Sequence, residues 1–281
     1  MAGIAGMFGW GLYDFLGGVY AKRIGPFRSF FGSQMAGLAS ALVLAFFIGT
    51  RLEVPSLVAV LLPIAAILYS AGYLFFFRGL EIGNISIVAA TMNLWAVFTM
   101  LFAFIFLGQR LSTTQSFGVM LILSGVTLAS ADWGNVRHQG FRLSSGVKEA
   151  VLGAFFFGVF WNISEVISEA IGWLSTTLLV KLGIVLFLVL FSLLTRRELA
   201  MPRVTTKTKS MVLIMGIVEA GAVAAVNYGL TVGDAILITP IASALSIVTI
   251  ALAVAFLKDR VTRLQGIGMI AAVAGIVLTA L

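Results

Sequence analysis

Ten apolar stretches follow one another along the 281 residues, at about 2–20, 29–49, 56–77, 84–106, 112–131, 147–169, 174–195, 210–232, 235–256 and 262–281, with little chain between them. A helix that crosses a bilayer needs about 20 apolar residues, and a soluble domain lacks the polar surface to cover ten of them in succession. Composition agrees: 60% of the residues are hydrophobic and 10% are charged, where a soluble domain carries roughly 25% charged residues. The chain therefore reads as an all-α integral membrane protein with ten transmembrane helices. Its longer polar stretches, 132–146 and 196–209, are connections too short to fold alone. The first segment has no basic flank and no cleavage motif followed by a polar mature chain, so it reads as a retained helix.

Sliding the chain by 150 residues lays residues 79–128 on 229–278 without a gap. Gly79/Gly229, Thr99/Thr249, Phe106/Phe256, Arg110/Arg260, Gln115/Gln265, Gly118/Gly268 and Gly125/Gly275 are among twelve identities in those fifty positions. Apolar bias alone does not align the Arg and Gln pairs. The shift carries helices 3, 4 and 5 onto helices 8, 9 and 10, a displacement of five spans. Five is odd, so the two halves are inverted relative to each other. The domain reading is a first repeat over 1–131, a polar connection over 132–146 and a second repeat over 147–281. Inverted repeats generate a pseudo-two-fold axis in the membrane plane, and secondary transporters use it to expose one site to either side in turn.

The net charge of +7 does not point to nucleic acid, because the basic residues lie at helix ends rather than on one soluble face. Fifteen of them, from Lys22 and Arg23 to Arg263, fall on one side, and Arg51 and Arg110 fall on the other. The positive-inside rule then makes the loops after odd-numbered helices cytoplasmic and both termini external, in a multi-pass protein of the cell membrane. There is no cysteine, and the single histidine, His138, lies in a connection. With no metalloprotease, nucleophile-elbow or P-loop motif either, no enzyme activity, metal or cofactor is implied.

Trp10-Gly11 with Tyr13-Asp14-Phe15 in helix 1, Gly108-Gln109-Arg110-Leu111 between helices 4 and 5, and its mate Lys258-Asp259-Arg260-Val261 resemble the EamA type of the drug/metabolite transporter superfamily. The likeness covers the whole chain, although Gln109 stands where the family often has Glu. It implies a ten-helix carrier, commonly an exporter of amino acids, drugs or other small metabolites and often dependent on an ion gradient. Many members keep both termini in the cytoplasm; the charges of this chain argue the reverse.

Ionisable groups inside spans are costly and mark candidate sites. Four are present: Asp14, Glu165, Lys181 and Glu219. Asp14 lies about 18 Å along helix 1 at 1.5 Å per residue. Trp10, Tyr13, Asp14 and Gly17 recur at helical spacing, so one face offers aromatic rings, a carboxylate and a small residue, a combination that attracts an ammonium group. A headgroup-level Asp in an aromatic belt is the plainer reading of the same residues. Trp161, Asn162 and Glu165 open the second half with the same W-x-x-x-acid spacing, 151 residues on; alternatively, Glu165 and Glu169 merely end helix 6. Glu219 sits near the bilayer centre, where it either carries a proton or substrate charge or pairs with Lys181, which can itself snorkel to the interface. Asn93 and Ser243 are repeat mates that line a shared centre or bond neighbouring helices, and Pro240 predicts a bend in helix 9. Gly17-Gly18 and Gly83 read as hinges, and Gly221-Ala222 and Gly266-x-Gly268 as close-packing points.

Taken together, the residues predict a central cavity lined by helices 1, 3, 4, 6, 8 and 9. Trp10, Tyr13, Asp14, Asn93, Trp161, Asn162, Glu165 and Ser243 are its substrate-binding candidates, Asp14, Glu165 and Glu219 its proton-coupling candidates, and Lys181 its ion-pair candidate. The partners are a small polar or cationic metabolite, the lipid bilayer and protons. Two other readings stand beside it: a facilitator or exchanger without ion coupling, and a membrane-embedded lipid-handling or scaffold protein.

Overall fold

The computed structural model describes residues 1–20, 23–50, 53–82, 88, 91–130, 145–258 and 261–279. Gly83, His138, Asp259, Arg260 and most of the 132–146 connection lie outside the described residues. The helices are α1 (Ala2–Tyr20), α2 (Pro26–Ile48), α3 (Ser56–Ile82), α4 (Leu94–Phe106), α5 (Thr113–Ser130), α6 (Val147–Ile171), α7 (Trp173–Thr195), α8 (Thr206–Val232), α9 (Ala235–Leu257) and α10 (Arg263–Thr279). Seven of them, α2, α3 and α5 to α9, are long and apolar enough to cross a membrane. Their outer faces suit lipid. On α7, Leu182, Leu186, Leu190 and Leu193 form an exposed stripe at helical spacing, while Lys181, Ile184 and Leu188 on the opposite face are buried.

Helix α9 is built in pieces. Proline 240 has no N–H to give the preceding turn, and the helix is interrupted at Ala244, whose N–H bonds back only to Ile241 and Ala242. The Ser243 hydroxyl takes up the Pro240 carbonyl at 2.7 Å. A π-turn, Ala253–Leu257, ends the helix. In the first repeat, α4 begins beyond a turn at Asn93, the mate of Ser243, so the two halves break the same helix within one residue of the same place.

The chain folds as two compact units, and neither is a sequence half. Unit one comprises residues Met1–Ser70 and Ile163–Val232; unit two comprises Ala71–Asn162 and Gly233–Leu281. The repeats thus describe how the sequence is copied, while each unit packs helices from both copies. In unit one, α8 packs on α1, α2 and α7, and α2 packs on α7; in unit two, α5 packs on α10, and α9 packs on α4 and α5.

Each unit carries the inverted symmetry in its own contacts. In unit two, a Cβ built on Gly125 would lie 2.5 Å from the Gly268 carbonyl, and one built on Gly275 would lie 2.5 Å from the Gly118 carbonyl. Since Gly118 and Gly268 are mates, and Gly125 and Gly275 are mates, these two contacts are one contact seen twice about a two-fold axis. In unit one, 147 residues separate Gly25 from Gly172, both with positive φ of 87° and 84°, and Pro26 from Trp173 and Ile48 from Thr195. A Cβ on Gly216 would lie 2.6 Å from Ala36, and one on Gly183 would lie 2.7 Å from Ala66, again mates of each other. The register grows from 147 to 150 because the α7–α8 connection is three residues longer than the α2–α3 connection. Of the expected packing points, Gly268 and Ala222 make close approaches, to Gly125 and Gly9, while Gly221 and Gly266 have open space where a Cβ would stand; Gly216, Gly118, Gly125 and Gly275 supply further close approaches.

Candidate functional site: a buried charged network

Four helices of unit one bring polar side chains to one point. Gln34 on α2, Tyr69 on α3, Lys181 on α7 and Glu219 on α8 are each no more than 2% exposed. Lys181 Nζ donates to Glu219 Oε2 at 2.5 Å and to Gln34 Oε1 at 3.1 Å, and the Tyr69 hydroxyl donates to Glu219 Oε1. Both carboxylate oxygens have a donor and the ammonium has two acceptors, which is the condition for a buried ion pair to be tolerated. Helix α2 makes room for the ammonium with Gly37, where a Cβ would approach Nζ to 3.2 Å.

The network is assembled from repeat mates. Tyr69 and Glu219 are 150 residues apart, the register of α3 on α8, and Gln34 and Lys181 are 147 apart, the register of α2 on α7. Mates that touch one another must straddle the pseudo-two-fold axis, because the midpoint between two equivalent positions lies on it. The scaffold around this point is symmetric, but its chemistry is not. The first repeat supplies an amide and a phenol, and the second supplies an ammonium and a carboxylate.

Next to it, a second chain of hydrogen bonds ties α6, α8 and α7. Ser164 Oγ donates to Asn227 Oδ1 at 2.9 Å, Asn227 Nδ2 to Thr177 Oγ1 at 3.0 Å, and Thr177 Oγ1 to the Trp173 carbonyl at 2.7 Å. Glu165, adjacent to Ser164 in sequence, is 2% exposed. On α1, Trp10 and Tyr13 are buried, and the Tyr13 hydroxyl lies 3.3 Å from Ser33 Oγ. Asp14 is exposed and Gly17 half-buried, so the face expected to hold Trp10, Tyr13, Asp14 and Gly17 together has Asp14 at its outer edge. The connection from Tyr20 to Pro26 is four residues longer than that from Ile171 to Trp173, so the register counted from the ends of α1 and α6 is 151, the spacing of Trp10 from Trp161 and of Asp14 from Glu165.

The remaining candidates belong to unit two. Trp161 faces Trp95 with ring centroids 6.3 Å apart, and Asn162 Nδ2 donates to the Thr99 and Gly158 carbonyls at 3.1 and 2.8 Å. Asn93 Nδ2 donates to Ser130 Oγ at 3.2 Å, whereas Ser243 turns to its own helix. Gln109, in the α4–α5 connection, accepts a hydrogen bond from the Ile236 N–H at 3.0 Å in the first turn of α9. Among the described residues no group of three or more His, Cys, Asp or Glu is placed to hold a metal ion.

The EamA-like transporter family model matches residues 1–131 and 144–281. The chain belongs to the EamA-like transporter family. It is thus a multi-pass membrane transporter of the drug/metabolite type, with the inverted-repeat fold of that family. A solved structure described only as a crystal structure of a protein has the same fold: TM-score 0.80 at 18% identity, over 99% of this chain and 95% of that one. No curated protein matches the chain. Within this EamA-type chain, the residues that the spans alone did not reveal are Gln34, Tyr69, Ser164, Thr177 and Asn227. Tyr69 was within reach, since it lies ten residues upstream of Gly79 in the same 150 register; Gln34 required the 147 register of the Gly25 and Gly172 caps.

Proposed function

We propose that this protein is a secondary transporter that moves a small polar or cationic, amino-acid-like metabolite across the cell membrane by alternating access, as an exporter coupled to protons. Its termini are external, and it takes its substrate near Trp10, Tyr13, Asp14, Asn93, Trp161, Asn162, Glu165 and Ser243, with Asp14, Glu165 and Glu219 as proton carriers. The observation that supports this best is the pair of buried, inverted two-fold contact sets, one in each unit. A chain whose two copies are related about such axes has two conformations that exchange the roles of the repeats, which is how alternating access exposes one site to either side. Buried carboxylates within the spans supply the ionisable groups that such a cycle needs.

Purified protein in proteoliposomes tests the reading with a panel of radiolabelled amino acids and a pH gradient. The expected result is substrate-dependent proton flux, lost in Asp14→Asn and in Glu165→Gln. Flux and substrate binding unchanged in both variants would remove those two residues from the site. Transport that persists after the proton gradient is collapsed favours a facilitator. For orientation, a cysteine placed after Leu281 is expected to react with an impermeant maleimide in intact cells; reaction only after permeabilisation reverses the topology.

A further inference from the structure

We propose that Glu219 binds the coupling proton on the pseudo-two-fold axis, where Tyr69, Lys181 and Gln34 position it, so that protonation removes the one bond of the network that exchange of the two repeats does not preserve. The inference rests on the transport reading above and selects among its three acids.

The geometry carries it in two steps. First, the cluster takes no bulky ligand in this state: its four side chains are at most 2% exposed, and the backbone around Lys181 is closed to within a methyl group by Gly37, Ala36 and Gly216. A proton needs no volume. It adds to Glu219 Oε2, the Lys181 N–H···O bond to that oxygen breaks, and Lys181 remains an ammonium held by Gln34 Oε1. The cluster goes from neutral to a single positive charge, with the proton drawn from one aqueous side and returned to the other. A lone buried ammonium is costly, so the protonated form favours whichever arrangement lets Lys181 reach water or an anion.

Second, symmetry distinguishes the bonds. When the two repeats exchange conformations, a contact between mates maps onto itself, so Gln34–Lys181 and Tyr69–Glu219 belong to both access states. The Lys181–Glu219 pair lies within the second repeat, and its counterpart joins Gln34 to Tyr69, which carry no charge. The ion pair is therefore the term that differs between the states, and it is the term that a proton on Glu219 cancels. The titratable groups that face Glu219 are Tyr13 from α1, Tyr69 from α3 and Lys181 from α7, while α2 presents the neutral Gln34. Among these groups Lys181 is the sole cation.

Infrared difference spectroscopy of the purified, reconstituted protein between alkaline and acid buffer tests this with the proton itself as ligand. The expected spectrum shows the C=O stretch of a protonated buried carboxylic acid, absent in Glu219→Gln and moved to higher frequency in Tyr69→Phe, which deletes the hydrogen bond to Oε1. If Glu219→Gln alone fails to fold, the doubly neutral Lys181→Gln, Glu219→Gln protein serves as the blank. A spectrum with no band assignable to Glu219 anywhere in the pH range where the protein stays folded, or a band unmoved by Tyr69→Phe, overturns the proposal. Because the assay contains no substrate, its failure leaves the transport reading standing. Conversely, a Glu219 band in a protein that moves no solute removes that reading and keeps the proton site.

Discussion

The two units solve the same geometric problem with opposite chemistry. Each holds helices from both repeats against one another across a two-fold axis. Unit two does so on α5 and α10 with glycine against glycine, no charge and backbones nearly in contact. Unit one places its axis among an ammonium, a carboxylate, a phenol and an amide. Close apposition of small residues is held by dispersion and rigid shape, with no hydrophobic drive available against lipid. A hydrogen-bonded ion pair holds only while every partner is present, and it can be switched by one proton. The contrast is between a contact held by shape alone and one that depends on each charged partner being present.

The largest expected effect breaks the charged side of that contrast. Lys181→Met alone leaves a buried carboxylate without its cation and is expected to cost about 3–5 kcal/mol, read from unfolding in mild detergent followed by tryptophan fluorescence. Lys181→Met combined with Glu219→Met is expected to recover most of that loss, since a neutral pair of similar volume leaves no orphan charge. Equal losses in the single and double variants would show that packing, rather than charge pairing, holds unit one. Next comes the fastening in unit two. Gly125→Val and Gly275→Val drive side chains into the facing backbone and are each expected to cost about 1–3 kcal/mol. Because they are equivalent about the axis, their losses are expected to agree; a loss confined to one of them breaks the symmetry argument. The smallest effect is Ser164→Ala, which removes one neutral bond to Asn227 and is expected to cost about 0.6 kcal/mol, with transport unchanged.

Much of this architecture is readable from the amino acids, and the limits are physical. The spans are legible because lipid leaves few other uses for twenty apolar residues in a row: α7 was expected at 174–195 and runs Trp173–Thr195, and α9 was expected at 235–256 and runs Ala235–Leu257. The inversion is legible because Gly118 and Gly268 lie on the fifth and tenth helices, an odd displacement of five. The site is harder. Lys181 and Glu219 stand out as charges in apolar helices, and their pairing follows from the cost of leaving either alone. Tyr69 and Gln34 carry no such cost, and a phenol or an amide in a span resembles many others until the register shows which residue it faces. Asp14 illustrates the converse. Its spacing with Trp10 and Tyr13 is sound, but helical periodicity gives direction only to within a side chain's width, and the carboxylate falls at the rim of the face.

One contact in unit two has a bearing on how this protein tolerates its surroundings. Gln109 ties the α4–α5 connection of the first repeat to the opening turn of α9 in the second through a neutral amide oxygen. A carboxylate there would bind the positive end of the helix more strongly, yet its grip would weaken with rising salt and vanish on acidification. An amide forgoes that strength and keeps a constant one. Gln109 carries no charge to titrate, so its bond to the Ile236 N–H joins the two repeats at this point without depending on a protonation state.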